Sequence, residues 1–334
     1  ETQACLADAH VDFAVVGEGE RALVELLRDP SHYPDGVASA PLLADLDALP
    51  WPARHRVDFG AYSDVPDYVL TLRKPYAGLF SSRGCPFGCT FCFSHRIHGR
   101  RFRPRSPDNV LAEIEHLVDR YGTREVQFWD DNLTFDRDRA LEIFGAIRRR
   151  GFDLTWTTPS GLSVATLDRE LLVAMKDSGC CGLIIAPESG NQRVLRDVMR
   201  KPIRLEQTEA VVRILAELDM PVGAFWMLGL PGETKQEMID TVEFAARLKS
   251  IHPGLYSSFS IFTPFRGTPL YDLCVRKGYL RQTDLTAMKY SVGSIDTEEF
   301  SHEWVQDLRH KGWLRANHAD SEAALQSAWV PQAE

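Results

Sequence analysis

The chain has 334 residues and no excess of basic charge: 38 Lys and Arg stand against 47 Asp and Glu, a formal net charge of −9. A nucleic-acid binder usually carries a basic face and a basic total, so that class is set aside. No apolar run approaches the roughly 20 residues of a membrane-spanning helix, and no signal peptide is visible. Cysteines number only seven, and an odd count without a sign of secretion speaks against a disulfide framework. No second Cys-x2-Cys follows the one cysteine-dense stretch, although zinc ribbons usually pair two such hairpins. What remains is an ordinary globular composition, 25% charged, long enough for two domains or one large α/β domain.

The cysteine-dense stretch organises the rest. Ser81-Ser82-Arg83-Gly84-Cys85-Pro86-Phe87-Gly88-Cys89-Thr90-Phe91-Cys92 sets three cysteines four and three residues apart, with Pro86 and Gly88 bending the chain between them. Such a loop can aim three thiolates at one point. A [4Fe–4S] cluster that only carries electrons takes a thiolate on each iron, so three ligands leave one iron open for a substrate or second cofactor. The alternative is a zinc knuckle, with His95 or His98 as the fourth ligand.

Cys-x3-Cys-x-aromatic-Cys, read here as Cys85, Cys89, Phe91 and Cys92, resembles the cluster loop of radical S-adenosylmethionine (SAM) enzymes. The resemblance covers roughly residues 76–290. It implies that Cys85, Cys89 and Cys92 hold a [4Fe–4S] cluster whose open iron chelates SAM. It also implies reductive cleavage of SAM to methionine and a 5′-deoxyadenosyl radical.

Residues 1–29 read as the end of something. Residues 11–16 form an apolar strand, Gly17-Glu18-Gly19-Glu20 a turn, and an amphipathic helix runs through Leu27. Strand, Gly-rich turn and helix are the grammar of a doubly wound sheet. The phrase resembles the closing segment of the cobalamin-binding domain that precedes many radical SAM domains. That domain's His-bearing motif would precede Glu1, so cobalamin is expected in the full-length protein. Prolines at 30, 34, 41, 50, 52, 66 and 75 make residues 30–75 an ordered linker without long helices or central strands.

From Tyr76 onward strands and helices alternate. Strands are expected at 77–82, 125–129, 153–158, 182–186, 222–228 and 256–262, and helices at 137–150, 167–178, 192–199 and 206–218. Ser106-Pro107 opens another helix that Gly122 closes, and Thr234 and Glu237 form a capping box. Six βα units predict an all-parallel sheet covered by helices. The fold class is therefore α/β, an open partial (β/α)6 barrel over residues 76–290, as the resemblance also implies. Residues 291–334 form an extension with no assigned chemistry.

Chemistry in such barrels gathers at the C-terminal strand ends. The resemblance implies that Asp130 or Asp131, ending the second strand, receives the SAM ammonium, although the family's usual Gly-Gly-Glu is absent. Glu188 and Ser189, after the fourth strand, would meet the SAM ribose or carboxylate, and Ser160 the ribose. Met227, Leu228, Gly229 and the Phe91 backbone would hold adenine. Turn and helix capping remain the alternatives for the polar members of this set. The run Arg96, Arg100, Arg101, Arg103 and Arg105 reads as a solvated or domain-facing surface, and Cys180, Cys181, Phe225 and Trp226 as packing.

Together these features predict a cytoplasmic radical SAM enzyme, a cobalamin-dependent methyltransferase acting on an unactivated carbon or phosphorus centre of a small molecule. It would need an external electron donor of flavodoxin or ferredoxin type and no nucleic acid or membrane. A radical cyclase or rearrangement enzyme is the rival within the class, and a non-catalytic zinc module the rival outside it.

Overall fold

The short apolar strands and amphipathic helices sort into two layered units. The computed structural model describes residues 2–63, 73–281 and 290–318. Parts of the expected linker (64–72), barrel (282–289) and extension (319–334) therefore lie outside the described residues. In chain order the N-terminal elements are α1 (Thr2–Leu6), β1 (Ala14–Val16), α2 (Gly19–Arg28), β2 (Val37–Ser39) and α3 (Phe59–Ser63). Strands β1 and β2 pair in parallel, with α2 crossing between them over a small core of Ala22, Leu26 and Ala38. The βα unit thus runs past residue 29 into the expected linker. A three-residue strand is too short to carry a periodic signal, which is why it does not show in the sequence.

The second unit begins with β3 (Tyr76–Leu79). It is followed by β4 (Ser82–Arg83), α4 (Ser94–Ile97), β5 (Arg103–Pro104) and α5 (Pro107–Tyr121). Next come β6 (Glu125–Phe128), α6 (Arg137–Arg150), β7 (Thr155–Leu162), α7 (Arg169–Asp177) and β8 (Cys180–Glu188). The chain continues through α8 (Leu205–Glu217), β9 (Val222–Leu228), α9 (Lys235–Ile251), β10 (Tyr256–Ile261), α10 (Pro269–Lys277) and α11 (His302–Asn317). Six strands form one sheet in the order β10-β9-β8-β7-β6-β3, every neighbouring pair parallel. This is the open six-stranded arrangement that the alternation predicts, with β3 and β10 at its edges. No helix among the described residues is long and apolar enough to cross a membrane.

Capping sets the helix ends where the sequence places them. The Ser106 side chain accepts a hydrogen bond from the Asn109 amide at 3.2 Å, and Gly122 closes α5 at φ 63°, a left-handed conformation that glycine adopts without strain. Thr234 and Glu237 bond each other's backbone amides. The core lies between sheet and helices: Trp156 stacks on Phe144 at 4.8 Å and meets Phe128 edge-on. Trp226 packs between Phe244 and Phe259, as its apolar surroundings predict. Cys180 is buried, while Cys181 is partly exposed on the other face of β8.

Two segments differ from expectation. Residues 194–198 form a π-helical turn, closed by the Met199 amide on the Val194 carbonyl at 2.8 Å. The Val198 and Met199 carbonyls at its C-terminal end accept from Thr90 of the cluster loop, a tertiary demand that helical spacing cannot announce. Helix α11, from the weakly patterned C-terminal stretch, covers β10 through Val305 and Leu308. Its Asn317 bonds both the amide and the carbonyl of Ser257.

Candidate active site

The cysteine loop is a closed excursion. Strands β4 and β5 pair antiparallel at its two ends, so residues 84–102 leave and rejoin the barrel at one point. Gly84 turns the chain at φ +82°, and a β-carbon there would fall 2.4 Å from the Arg101 carbonyl oxygen. No side chain fits that space. Gly84→Ala is therefore expected to keep all three cysteines yet lose most of its iron after anaerobic reconstitution, measured as iron per chain. A normal iron content would show that the loop closes without this turn.

The rest of the loop is pinned by backbone. The Thr90 amide donates to the Met199 carbonyl at 3.0 Å, its hydroxyl donates to the Val198 carbonyl at 2.6 Å, and its own carbonyl accepts from Leu270. The sequence, with Thr90 set between two cysteines, gives no sign of these partners.

Asp130 and Asp131 divide their work. Asp130 is buried and accepts from the Ser81 amide at 3.0 Å, from the Ser81 hydroxyl at 2.7 Å and from the Ser82 hydroxyl. Burial raises its pKa, although the two serines and Arg139 pull the other way. Arg139 completes this support by donating to the Ser81 carbonyl at 2.6 Å. Asp130 thus fastens the entry to the loop. Asp131, partly exposed, accepts from the Gly84 amide at 3.1 Å, and its charge bears on Cys85 and Cys92.

Across the site, Glu188 ends β8 at φ 69° and accepts from the Lys201 ammonium at 3.2 Å. Burial alone would lower the Lys201 pKa, but Glu188 and then Cys89 outweigh it and raise the value. Lys201 also lies 6.0 Å from the centroid of the Phe91 ring. It is the residue beside the cysteine loop that sequence reading misses, since nothing marks one cation among four arginines of the same segment.

The remaining candidates scatter. Ser189 is buried, sharing a hydrogen bond with Thr241 and accepting from the Asn191 amide. Ser160 is exposed, and Met227 is partly buried. Leu228 is buried, and Gly229 turns out of β9 at φ +80°. Beneath that turn Glu233, also missed, accepts from the Leu230 amide at 2.8 Å, and burial pushes its pKa to about 8.

The donor set fits a cluster better than a single ion. Among the described residues, only Asp296, His302 and Glu303 bring three ligand atoms within 4.8 Å of one another, so the three cysteine sulfurs do not all lie within that distance of one another. Tetrahedral zinc with Zn–S near 2.3 Å holds its sulfurs roughly 3.8 Å apart, whereas a four-iron cube spreads them. Asn132 is buried with both amide ends unpartnered and lies against Cys85, an arrangement suited to a sulfur acceptor. Burial pushes the Cys89 thiol up to about 11, with Lys201 opposing the rise, so ligation must displace a proton there.

A model of the radical SAM superfamily matches residues 79–245, half of the chain. The chain belongs to the radical SAM superfamily. This membership implies a [4Fe–4S] cluster and SAM as cofactors. Among curated relatives, cytidylyl-2-hydroxyethylphosphonate methyltransferase from Streptomyces wedmorensis is 32% identical over 88% of this chain and 62% of its own. The chain spans between 46% and 62% of the first curated relatives it matches. Two solved structures share the fold. TsrM from Kitasatospora setae, with cobalamin and a [4Fe–4S] cluster bound, has a TM-score of 0.56 at 17% identity over 77% of this chain and 53% of that one. The cobalamin-dependent enzyme OxsB reaches 0.64 at 14% identity over 94% and 52%. In radical SAM terms, the loop, Asp131, Glu188 and Lys201 gather at the C-terminal edge of the sheet. Asp130 and Ser189 instead bond to the protein itself.

Proposed function

We propose that this chain forms the radical-generating part of a cobalamin-dependent methyltransferase acting on an unactivated carbon or phosphorus of a small molecule. The observation that carries the reading is the convergence of Asp131, Glu188 and Lys201 on the three thiols. Cys85, Cys89 and Cys92 would hold the cluster, which when reduced cleaves SAM to methionine and a 5′-deoxyadenosyl radical. Asp131 would accept from the SAM ammonium. Glu188 and Lys201 offer an acceptor and a cation for the ribose and carboxylate, and the Phe91 and Leu228–Gly229 backbone offers adenine contacts. Residues 14–39 fit the closing segment of a cobalamin-binding domain. Free thiols and a reduced cluster suit the cytoplasm, with a flavodoxin or ferredoxin as electron source.

The test separates SAM from iron. Asp131→Ala and Glu188→Ala should each weaken SAM binding by about ten- to a hundredfold, the value of a charge-assisted hydrogen bond of about 1.5–3 kcal/mol, with iron content unchanged. Asp130→Ala should instead lose iron, because it releases Ser81 and Ser82. Deoxyadenosine yield from the unsubstituted protein, reduced in the presence of SAM, checks the reaction itself. Equal SAM affinity in both variants would return Asp131 and Glu188 to structural roles.

A further inference from the structure

The chain is acidic overall, yet one surface is strongly basic. Residues 193–204 hold five cations, Arg193, Arg196, Arg200, Lys201 and Arg204, against the single acid Asp197. Four of the five line a cleft of about 820 Å³, with Glu206 the one acid in its lining. Neutralisation there is uneven. Arg193 pairs with Glu237 and buried Lys201 with Glu188, while among the described residues Arg196 meets only its exposed neighbour Asp197. Arg200 and Arg204 are exposed, and neither has a carboxylate partner among the described residues. Arg200 is also held at φ 50°, a conformation that non-glycine residues rarely take.

The position of this surface gives it meaning. The chain beneath the arginines is the segment whose Val198 and Met199 carbonyls bind Thr90, next to Cys89. The backbone that carries the arginines is therefore hydrogen-bonded directly to the loop residue beside Cys89. Electron transfer weakens steeply with distance, so a carrier seated here meets the cluster by a short bonded route. Exposed, unneutralised guanidiniums spread across a rim attract an extended acidic surface and speed its approach.

We propose that this arginine-rimmed cleft is the docking surface for an acidic one-electron carrier protein that reduces the cluster. The inference rests on the cluster reading above. Each encounter moves one electron: the carrier is oxidised by one, the cluster is reduced by one, and no group or proton is exchanged.

Stopped-flow mixing of the anaerobically reconstituted chain with reduced flavodoxin, followed by bleaching of the cluster absorbance, tests it. The variant R196E/R200E/R204E should be reduced about tenfold or more slowly than the unsubstituted chain at low salt, with the difference shrinking as salt rises. Reduction by dithionite, a small reductant that needs no docking, should stay within about twofold. Should charge reversal disturb folding, seen as lost iron, R200Q/R204Q serves instead and should slow flavodoxin severalfold. Equal flavodoxin rates in a variant that retains its iron overturn the proposal. So does calorimetric binding of inorganic phosphate that R200Q/R204Q abolishes while flavodoxin rates hold, because the cleft is then a small-anion site. An unsubstituted chain that takes up no iron would defeat the cluster reading itself, and this proposal with it.

Discussion

Cys89→Ala, reconstituted anaerobically with iron and sulfide, should show no brown chromophore and no reductive cleavage of SAM. The expected effect is complete because Cys89 is the most buried of the three thiols and stands where the loop is pinned by Thr90. The neighbouring backbone cannot move to offer another ligand. Cys85→Ala and Cys92→Ala should fail likewise, since two thiolates cannot replace the three-cysteine set of this loop. Cys180→Ala and Cys274→Ala are the controls: both thiols are buried in the barrel core, so their loss costs packing and leaves iron content intact. Stoichiometric iron in the variant lacking all three loop cysteines would defeat the cluster reading.

Glu18→Ala should free the N-terminal unit from the barrel. The Glu18 carboxylate is buried and receives both Arg103 terminal nitrogens, at 2.8 and 2.6 Å. Arg83 lies at 3.3 Å, and the Leu43 amide donates at 3.0 Å. Burial resists ionisation, but Arg103, Leu43 and Arg83 overcome it and hold the pKa down at about 2. Removing the carboxylate leaves the buried Arg103 guanidinium without a counter-charge, bonded only to the Leu43 and His98 carbonyls among the described residues, at a cost of about 3–5 kcal/mol. Hydrogen exchange should therefore accelerate at least about a hundredfold in α2 and near Leu43, with little change in β6–β9. A Glu18→Leu, Arg103→Met double variant should recover much of the loss. The pH dependence follows in sign. A depressed carboxylate contributes its full stabilisation above its ordinary value of 4.5 and loses it as pH falls toward about 2. Docking should weaken progressively across that window, and the Glu18→Ala protein should lack this component. Unchanged protection of α2 in Glu18→Ala would show that the apolar contacts alone hold the unit in place.

The sequence announced features written in local chemistry. Ser106, Gly122, Thr234 and Glu237 act within three or four residues of the backbone they cap, so their roles are visible in spacing alone. The six apolar strand-and-turn repeats from Tyr76 onward were legible for the same reason, as were the three cysteines. What stayed hidden depends on pairing at long range. Glu18 meets Arg103 across 85 residues, and Thr90 meets Val198 across 108. Asp130 and Asp131 are indistinguishable as neighbouring letters. Only the fold sends one carboxylate inward to Ser81 and Ser82 and the other toward the cysteine loop.

The backbone at Glu188, at φ 69°, limits which residues this position can hold. A left-handed φ costs a side chain bearing a β-carbon about 1–2 kcal/mol relative to glycine. The carboxylate, by contrast, is what meets the buried Lys201 ammonium. Backbone and side chain thus place opposite demands on one codon. Judged by backbone strain alone, a mutant library would favour glycine or asparagine at 188; judged by the ion pair with Lys201, it would return glutamate.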